Sequence, residues 1–431
     1  MQTPRAERGG LNPGMMRSLA ALGTTQRVGL PRSQRSLAMT SANHGTPSGS
    51  SANDKAFFPE KIFVVKDALH FPLTKKILSA CHGVPVETVS SRRPITEWLA
   101  SSPDPIGTAK KLLFLTRRKG PFVKPCPCTP RYIGCNYFII NSVLNCPLDC
   151  SYCVLQTYLG ASPLTVHVNL GDLWRELDAF LGRREGRFLR IGTGELSDSL
   201  ALEHILQTAG DFVAYFRKKP WAFFEFKTKT VQVDALLRRR PAENVVVSWS
   251  LNSERIAAAE ELGAPPVAER LEAARAVAAR GFPVGFHFDP LIFYPGWEED
   301  YGRMIEKMLS AVPAGRIRWI SLGSLRFPRA LKPIIEERFP ASPIVYGELI
   351  RGRDNKLRYF KPVRLDLYRK IGGFIKDFGR GRILVYFCME DGEVWEKGLG
   401  RKPGRKEEVE ALLSPRAYDS RSIVSNARRS S

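Results

Sequence analysis

Three cysteines fall within eight positions of the stretch NCPLDCSYCVLQTYLG, at Cys146, Cys150 and Cys153, with Tyr152 directly before the last. Thiolates so closely spaced suit a soft metal centre. Structural zinc takes four ligands and is signalled by paired C-x2-C units, so C-x3-C-x2-C without a second pair speaks against it. A [4Fe-4S] cluster has four irons, usually held by four thiolates. If the chain supplies only three, one iron stays open to a substrate or cofactor.

A loop of this kind needs a rigid frame, and the flanking sequence supplies one. From residue 56, KIFVVKD, LTKKILSAC, VPVETVS and KKLLFLTRR read as strand, helix, strand and strand. YFIINSVL is a strand leading into the cysteines, and GDLWRELDAFLG places Leu173, Leu177, Phe180 and Leu181 on one helical face. RFLRIGTGE, AFFEFKTK, NVVVSWSLN, PVGFHFDPLIF and RIRWISLGSLRF continue the strands, with LALEHILQTAGDFVAYF, VDALLRR, PVAERLEAARAVAARG and EEDYGRMIEKML as the intervening helices. Strands this apolar, alternating with helices, predict an α/β fold with a parallel sheet covered by helices. The expected organisation is a basic disordered tail over 1–55, a small α/β lobe over 56–125, a partial (β/α)6 TIM-type barrel over 126–340, a basic extension over 341–397 and a polar tail over 398–431.

In a barrel of parallel strands the chemistry sits at the strands' carboxyl ends. That rule selects Glu195, Lys229, Ser250, Asn252, Asp289 and Arg326, polar residues where a strand finishes. Each has a plainer reading as a cap, a solvated lysine or an ion-pair partner. His287 reads first as a satisfied core histidine and second as a substrate contact. Cys126, Cys128 and Cys135 are read as small buried hydrophobes or a hydrogen donor near the first barrel strand, in preference to ligands of a second cluster.

Bulk properties narrow the partners. The 431 residues carry a formal net charge of +22, which points to a polyanion, nucleic acid before membrane surface. Six arginines precede Asp54 against the single acid Glu7. That start reads as a transit peptide or as a translated upstream stretch with Met39 or an earlier Met as the working start, and the second is preferred. No apolar run approaches the roughly 20 residues of a membrane-spanning helix. Eight cysteines without a signal peptide favour a reducing compartment, so a cytoplasmic location is expected. RGRDNKLRYFKPVR interleaves Arg351, Arg353, Lys356, Arg358 and Arg364 with Tyr359 and Phe360, a mixture that neutralises phosphates and stacks on bases, or else forms a solvated loop.

The C-x3-C-x2-C loop after a first barrel strand resembles the radical S-adenosylmethionine superfamily. CSYCVLQTYLG, VHVNL, LSDSLALEH, VSWSLNSE, RLEAARAVAARGFPVGFHFDPLIFYPGWEEDY and LGSLRFPRALKPIIEERFP, in that order over about residues 60 to 340, resemble its spore photoproduct lyase family, which repairs a methylene-bridged thymine dimer in DNA. The resemblance implies a [4Fe-4S] cluster on Cys146, Cys150 and Cys153. It implies S-adenosylmethionine on the open iron, cleaved to a 5'-deoxyadenosyl radical with an electron from an external donor. It assigns Lys229 to the cofactor carboxylate, Ser250 and Asn252 to the cofactor, Arg326 to the substrate, and Tyr152 to the cluster or adenine. It also places a hydrogen-donating cysteine where Glu195 stands, and a tyrosine where Val154 stands. A carboxylate does not release a hydrogen atom readily, so Glu195 reads instead as a partner for the cofactor's amino group. The leading expectation is lyase-like repair of damaged thymines in DNA. The alternatives are radical modification of another substrate and a non-catalytic nucleic-acid-binding iron-sulfur protein.

Overall fold

The computed structural model describes residues 56–129 and 132–414; the expected tail over 1–55 and residues 415–431 lie outside them. In chain order the strands are β1 (Lys61–Val65), β2 (Val86–Val89), β3 (Leu112–Thr116), β4 (Val123–Pro125), β5 (Tyr137–Ile140), β6 (Val143–Leu144), β7 (Asp149–Cys150), β8 (Leu164–His167) and β9 (Leu189–Gly192). There follow β10 (Ala222–Thr228), β11 (Val245–Ser250), β12 (Glu261–Leu262), β13 (Val284–Leu291), β14 (Ile317–Ser324), β15 (Arg326–Pro328), β16 (Leu349–Arg351), β17 (Lys356–Tyr359) and β18 (Val385–Phe387).

The larger sheet runs β18-β14-β13-β11-β10-β9-β5-β4, parallel throughout except where β4 meets β5 antiparallel. β5, β9, β10, β11, β13 and β14 are the six expected barrel strands. β18 adds a seventh parallel strand beyond β14. The expected boundary at residue 340 is therefore not a structural one: RILVYFCME from the extension completes the sheet. Helices Leu170–Gly182, Val267–Arg280 and Trp297–Ala311 cover it, burying Leu173, Leu177, Leu181, Val277 and Ile305. Inside, Phe224 stacks between Phe212 and Phe216 at centroid separations of 5.0 and 4.5 Å. Truncating such a ring costs about 3–5 kcal/mol.

The smaller sheet, β2-β1-β3-β8-β6, also crosses an expected boundary. Its β8 and β6 come from either side of the cysteine loop, so the N-terminal lobe and the barrel are joined through that loop. LALEHILQTAGDFVAYF, expected as one helix, forms two, Glu203–Leu206 and Ala209–Phe216. Gln207 turns left-handed at φ 50°, and the Glu203 carboxylate accepts from the backbone N–H groups of Thr208 and Ala209 at 3.1 and 3.0 Å. The expected polar tail is folded up to residue 414: helix Lys406–Leu413 buries Val409 and Leu413, one turn apart. Among the described residues no helix is long and apolar enough to cross a membrane.

Candidate active site

At the carboxyl ends of the parallel strands lies a cavity of about 320 Å³. Cys146, Cys150 and Cys153 form one part of its wall. Their segment is tied down on several sides. Lys110, buried in the N-terminal lobe, donates to the carbonyls of Cys146 at 3.0 Å and Leu148 at 2.7 Å. Gln156 donates to the carbonyl of Ser151 at 2.8 Å. β7 pairs antiparallel with β12, setting Cys150 opposite Glu261. Arg338 reaches in from helix Leu331–Arg338, donating to Asp104 at 2.8 and 2.9 Å, to Asp149 at 3.1 and 2.8 Å, and to Gln156. The carbonyls of Cys146, Leu148 and Ser151 are thus occupied, and none of the three cysteines is in a disulfide. Burial pushes the Cys146 thiol up to about 12, with Asp198 adding to the effect and Lys110 opposing it. Burial also raises Cys150, against the pull of Lys229.

Tyr152 donates to Glu261, which also pairs with the buried Arg270. Lys229 Nζ stands 5.6 Å from the Tyr152 ring centroid and 4.0 Å from Glu261. Asp198 fixes this strand end, accepting from the Lys229 N–H at 2.7 Å and the Thr228 hydroxyl at 2.7 Å. Lys227 takes the other side, 3.5 Å from Glu195. Burial alone would lower Lys227, but Glu195 and Asp289 hold its ammonium above the ordinary range. Gly194 allows this approach: a Cβ there would lie 2.5 Å from that of Lys227. Arg326 donates to both Asp289 oxygens at 3.1 Å, and Gly323 leaves the room that pair needs.

The structure therefore brings Cys146, Cys150, Cys153, Tyr152, Glu195, Lys229, Ser250, Asp289 and Arg326 to one cavity. Asn252 stands apart, and its expected cofactor contact is corrected: it is buried, donates to the carbonyl of Pro290 at 3.0 Å and accepts from Tyr301. His287 lines the cavity but has both nitrogens engaged, Nδ1 with Ser321 at 2.6 Å and Nε2 with Glu225 at 2.9 Å, as a satisfied core histidine would. The basic stretch is not a loop but the hairpin β16-β17, paired through β17 with β15. Arg358 is buried on Asp354 at 2.6 Å, Arg364 on Glu390 at 3.2 Å, and Tyr359 is buried with its hydroxyl accepting from the Phe293 N–H. Packing removes Arg358 and Tyr359 from the expected nucleic-acid surface. Lys356 faces the cavity, while Arg351 and Arg353 point outward.

Cys126 and Cys135, read from the sequence as buried hydrophobes or a hydrogen donor near the first barrel strand, are joined by a residue that reading left out of the site, Cys388. All three line the cavity. The Ile133–Glu390 bridge and a contact of 3.5 Å from the Thr129 hydroxyl to the Met389 sulfur bring the two segments together. Burial raises all three thiols, and the charge of Glu195 bears on each of them. The only signal in the sequence was the end of β18, where Cys388 occupies a strand-end position.

A profile described as Spore photoproduct lyase matches residues 57–361. The chain belongs to the spore photoproduct lyase family. It is 25% identical over 298 residues to the spore photoproduct lyase of Bacillus subtilis (strain 168), covering 68% of this chain and 85% of that protein. Against the spore photoproduct lyase of Geobacillus sp. (strain Y412MC61) the identity is 27% over 219 residues, 49% of this chain and 63% of that one. A solved mutant of spore photoproduct lyase with bound AdoMet and dinucleoside spore photoproduct aligns with a TM-score of 0.69 and 24% identity, over 77% of this chain and 99% of the other. That likeness is one of fold. Membership places the chain in the radical S-adenosylmethionine superfamily, as its motifs implied.

The donor set fits the cluster this superfamily uses. Among the described residues no three His, Cys, Asp or Glu side chains converge as ligands of a single ion do. Thiolates that each take a separate iron need not converge.

Proposed function

We propose that this chain is a radical S-adenosylmethionine lyase that repairs damaged thymines of the spore-photoproduct kind in DNA. The observation that carries the reading is the shared cavity: Cys146, Cys150 and Cys153 face the strand-end residues Lys229, Ser250, Asp289 and Arg326 across it. Cys146, Cys150 and Cys153 would hold a [4Fe-4S] cluster, and Lys229, Ser250 and Glu195 would bind S-adenosylmethionine. When bound, cluster and cofactor supply a 5'-deoxyadenosyl radical, using an electron from an external donor. Tyr152, held by Glu261, supports the cluster side of the cavity. Arg326, fixed by Asp289, presents a cation to the substrate.

Breaking the methylene bridge leaves a product radical that needs one hydrogen atom. Glu195 is a poor source, but it shares the cavity lining with Cys126, Cys135 and Cys388. Burial keeps those thiols protonated, the form that carries a transferable hydrogen. One of them gives its S–H hydrogen to the product, and the thiyl left behind is returned to thiol by an electron from the external donor and a proton from solvent. Glu195 also supports a second reading, radical chemistry on a non-DNA substrate, because it occupies the position of the family's donor thiol.

The test is anaerobic reconstitution with dithionite, S-adenosylmethionine and an oligonucleotide containing spore photoproduct. Restored thymines alongside 5'-deoxyadenosine are expected. Cofactor cleavage without any thymine recovery would overturn the DNA reading in favour of the second.

A further inference from the structure

Much of the chain's surplus charge sits at the end of the larger sheet away from the cavity. Four segments lead from helices into the amino ends of its parallel strands: RREGRF (183–188) into β9, RKKPW (217–221) into β10, RRRPAEN (238–244) into β11 and GRGRIL (379–384) into β18. Together they hold eleven cations against the two acids Glu185 and Glu243, a surplus of nine out of the chain's +22. Arg280 before β13 and Arg316 before β14 fill the strand starts between. Because β18, β14, β13, β11, β10 and β9 are consecutive in the sheet, these cations form one row across its amino-terminal edge.

The two ends of the strands treat charge differently. At the cavity, Lys227, Arg326 and Lys229 face Glu195, Asp289 and Glu261. At the amino ends, Arg187, Arg217, Arg238 and Arg240 are exposed and have no ion-pair partner among the described residues. The pairs that do form there, Arg316 with Glu243 at 3.9 Å and Lys219 with Asp178 at 3.4 Å, have exposed acids and bind weakly. The backbone under the row is fixed. Buried Asn244 donates to the carbonyls of Phe216 and Lys219 at 2.7 and 3.0 Å, tying the segment before β11 to the one before β10. Arg280 donates to the Leu237 carbonyl at 2.9 Å, tying in the next. In none of the four segments is a large apolar side chain exposed: Phe188 packs edge-on against Phe223 at 5.3 Å, and Trp221 is half-buried.

That composition selects the partner. A protein interface has an apolar core, a membrane-surface site inserts an apolar face, and an unpaired strand stacks on aromatic rings. A duplex backbone asks only for fixed positive charge. Nine of the eleven cations are arginines, whose planar fork suits phosphate. We infer that this face binds the phosphate backbone of an undamaged DNA duplex, separately from the cavity at the other end of the strands. Six strand starts at a spacing of about 4.8 Å make a row of roughly 24 Å. Over that length a duplex carries about fourteen phosphate charges. The contact reads neither sequence nor damage, and it leaves the cavity open.

The experiment measures binding of the full chain to an undamaged DNA duplex over a range of salt. The fourfold variant Arg187→Gln, Arg217→Gln, Arg238→Gln, Arg240→Gln should flatten the slope of log affinity against log salt by about three, at roughly 0.9 per phosphate contact. Near 0.1 M salt its affinity should fall on the order of a hundredfold or more. The same four positions changed to Lys keep the charge and should keep the slope. The charge-matched control Lys66→Gln, Lys75→Gln, Arg92→Gln, Lys119→Gln, on exposed positions of the N-terminal lobe, should leave the slope unchanged. Duplex binding should also slow backbone hydrogen exchange in 183–188 and 238–244. A Gln variant with the wild-type slope, a Lys variant as weak as the Gln variant, or a control that flattens the slope equally overturns the inference. So does exchange protection confined to the hairpin over 349–359, which would put the duplex at the other end of the strands. A chain that binds vesicles of anionic phospholipid and ignores the duplex would overturn it in favour of a membrane surface.

Discussion

The two thiol-bearing walls of the cavity are built in opposite ways. Cys146, Cys150 and Cys153 lie on one short segment, held by Lys110 from the N-terminal lobe, by β12 from the barrel and by Arg338 from beyond β15. Cys126 and Cys135 lie on the segment between β4 and β5, and Cys388 comes from the end of β18, far away in the chain, the two parts joined by the Ile133–Glu390 bridge. On the first wall, Lys110 draws Cys146 and Lys229 draws Cys150 toward the thiolate, against burial. On the second, burial and the acid Glu195 work together on Cys126, while Arg190 opposes burial at Cys135 and Arg326 opposes it at Cys388. What separates the walls is therefore construction: burial raises thiols on both, but one wall is a single tied-down segment and the other is gathered from distant parts of the chain.

The comparison breaks most sharply at the ligands. Cys150→Ala should lower 5'-deoxyadenosine formation by roughly three orders of magnitude and reduce iron content; near-normal cleavage would mean the first wall holds no cluster. Changes on the second wall should separate the two halves of the reaction. Replacing Cys126, Cys135 and Cys388 singly by Ala, one variant should keep cofactor cleavage within about twofold while thymine recovery falls on the order of a hundredfold. Equal loss of both activities in all three would erase the distinction between the walls.

Smaller effects test the scaffold. Arg338→Leu leaves Asp104 and Asp149 without their shared cation. It should cost about 2 kcal/mol in denaturant unfolding, less than a fully buried pair because Asp104 is half exposed. It should also slow cofactor cleavage by loosening the first wall. Glu203, outside both walls, should leave chemistry alone and affect only stability. Burial lifts its carboxyl to about 7, so the folded protein holds a proton there that the unfolded chain releases near 4.5. Its contribution is full below pH 4.5 and is lost as pH rises toward 7, by about 3 kcal/mol. Glu203→Gln should flatten that decline. The difference between the two proteins isolates Glu203 from His167, which burial and Arg118 hold down to about 4 and which acts in the opposite sense, losing stability as pH falls below 6.5.

The first wall was legible in the sequence because its chemistry is local: three cysteines in eight positions, with strand-end polar residues marked by the end of each apolar run. The second was legible only in part: Cys126 and Cys135 could be read as a hydrogen donor near the first barrel strand, but nothing in the spacing of Cys135 and Cys388 announces that β18 closes onto β14. The N-terminal sheet shows the same limit. LTVHV could be read as a strand, but not as one that leaves the barrel to join β3. Asn252 and Tyr359 misled for a related reason. Their residue types suit binding, yet Tyr301 and the Phe293 N–H claim them in the folded chain.

The most direct measurement is product analysis from a single reaction: reconstituted protein, S-adenosylmethionine, dithionite and a spore-photoproduct oligonucleotide, with 5'-deoxyadenosine and repaired thymines quantified together. Both products are expected from the wild type and neither from Cys150→Ala. Thymine repair that persists in Cys150→Ala, or a wild type that leaves S-adenosylmethionine intact, would contradict the radical-lyase reading.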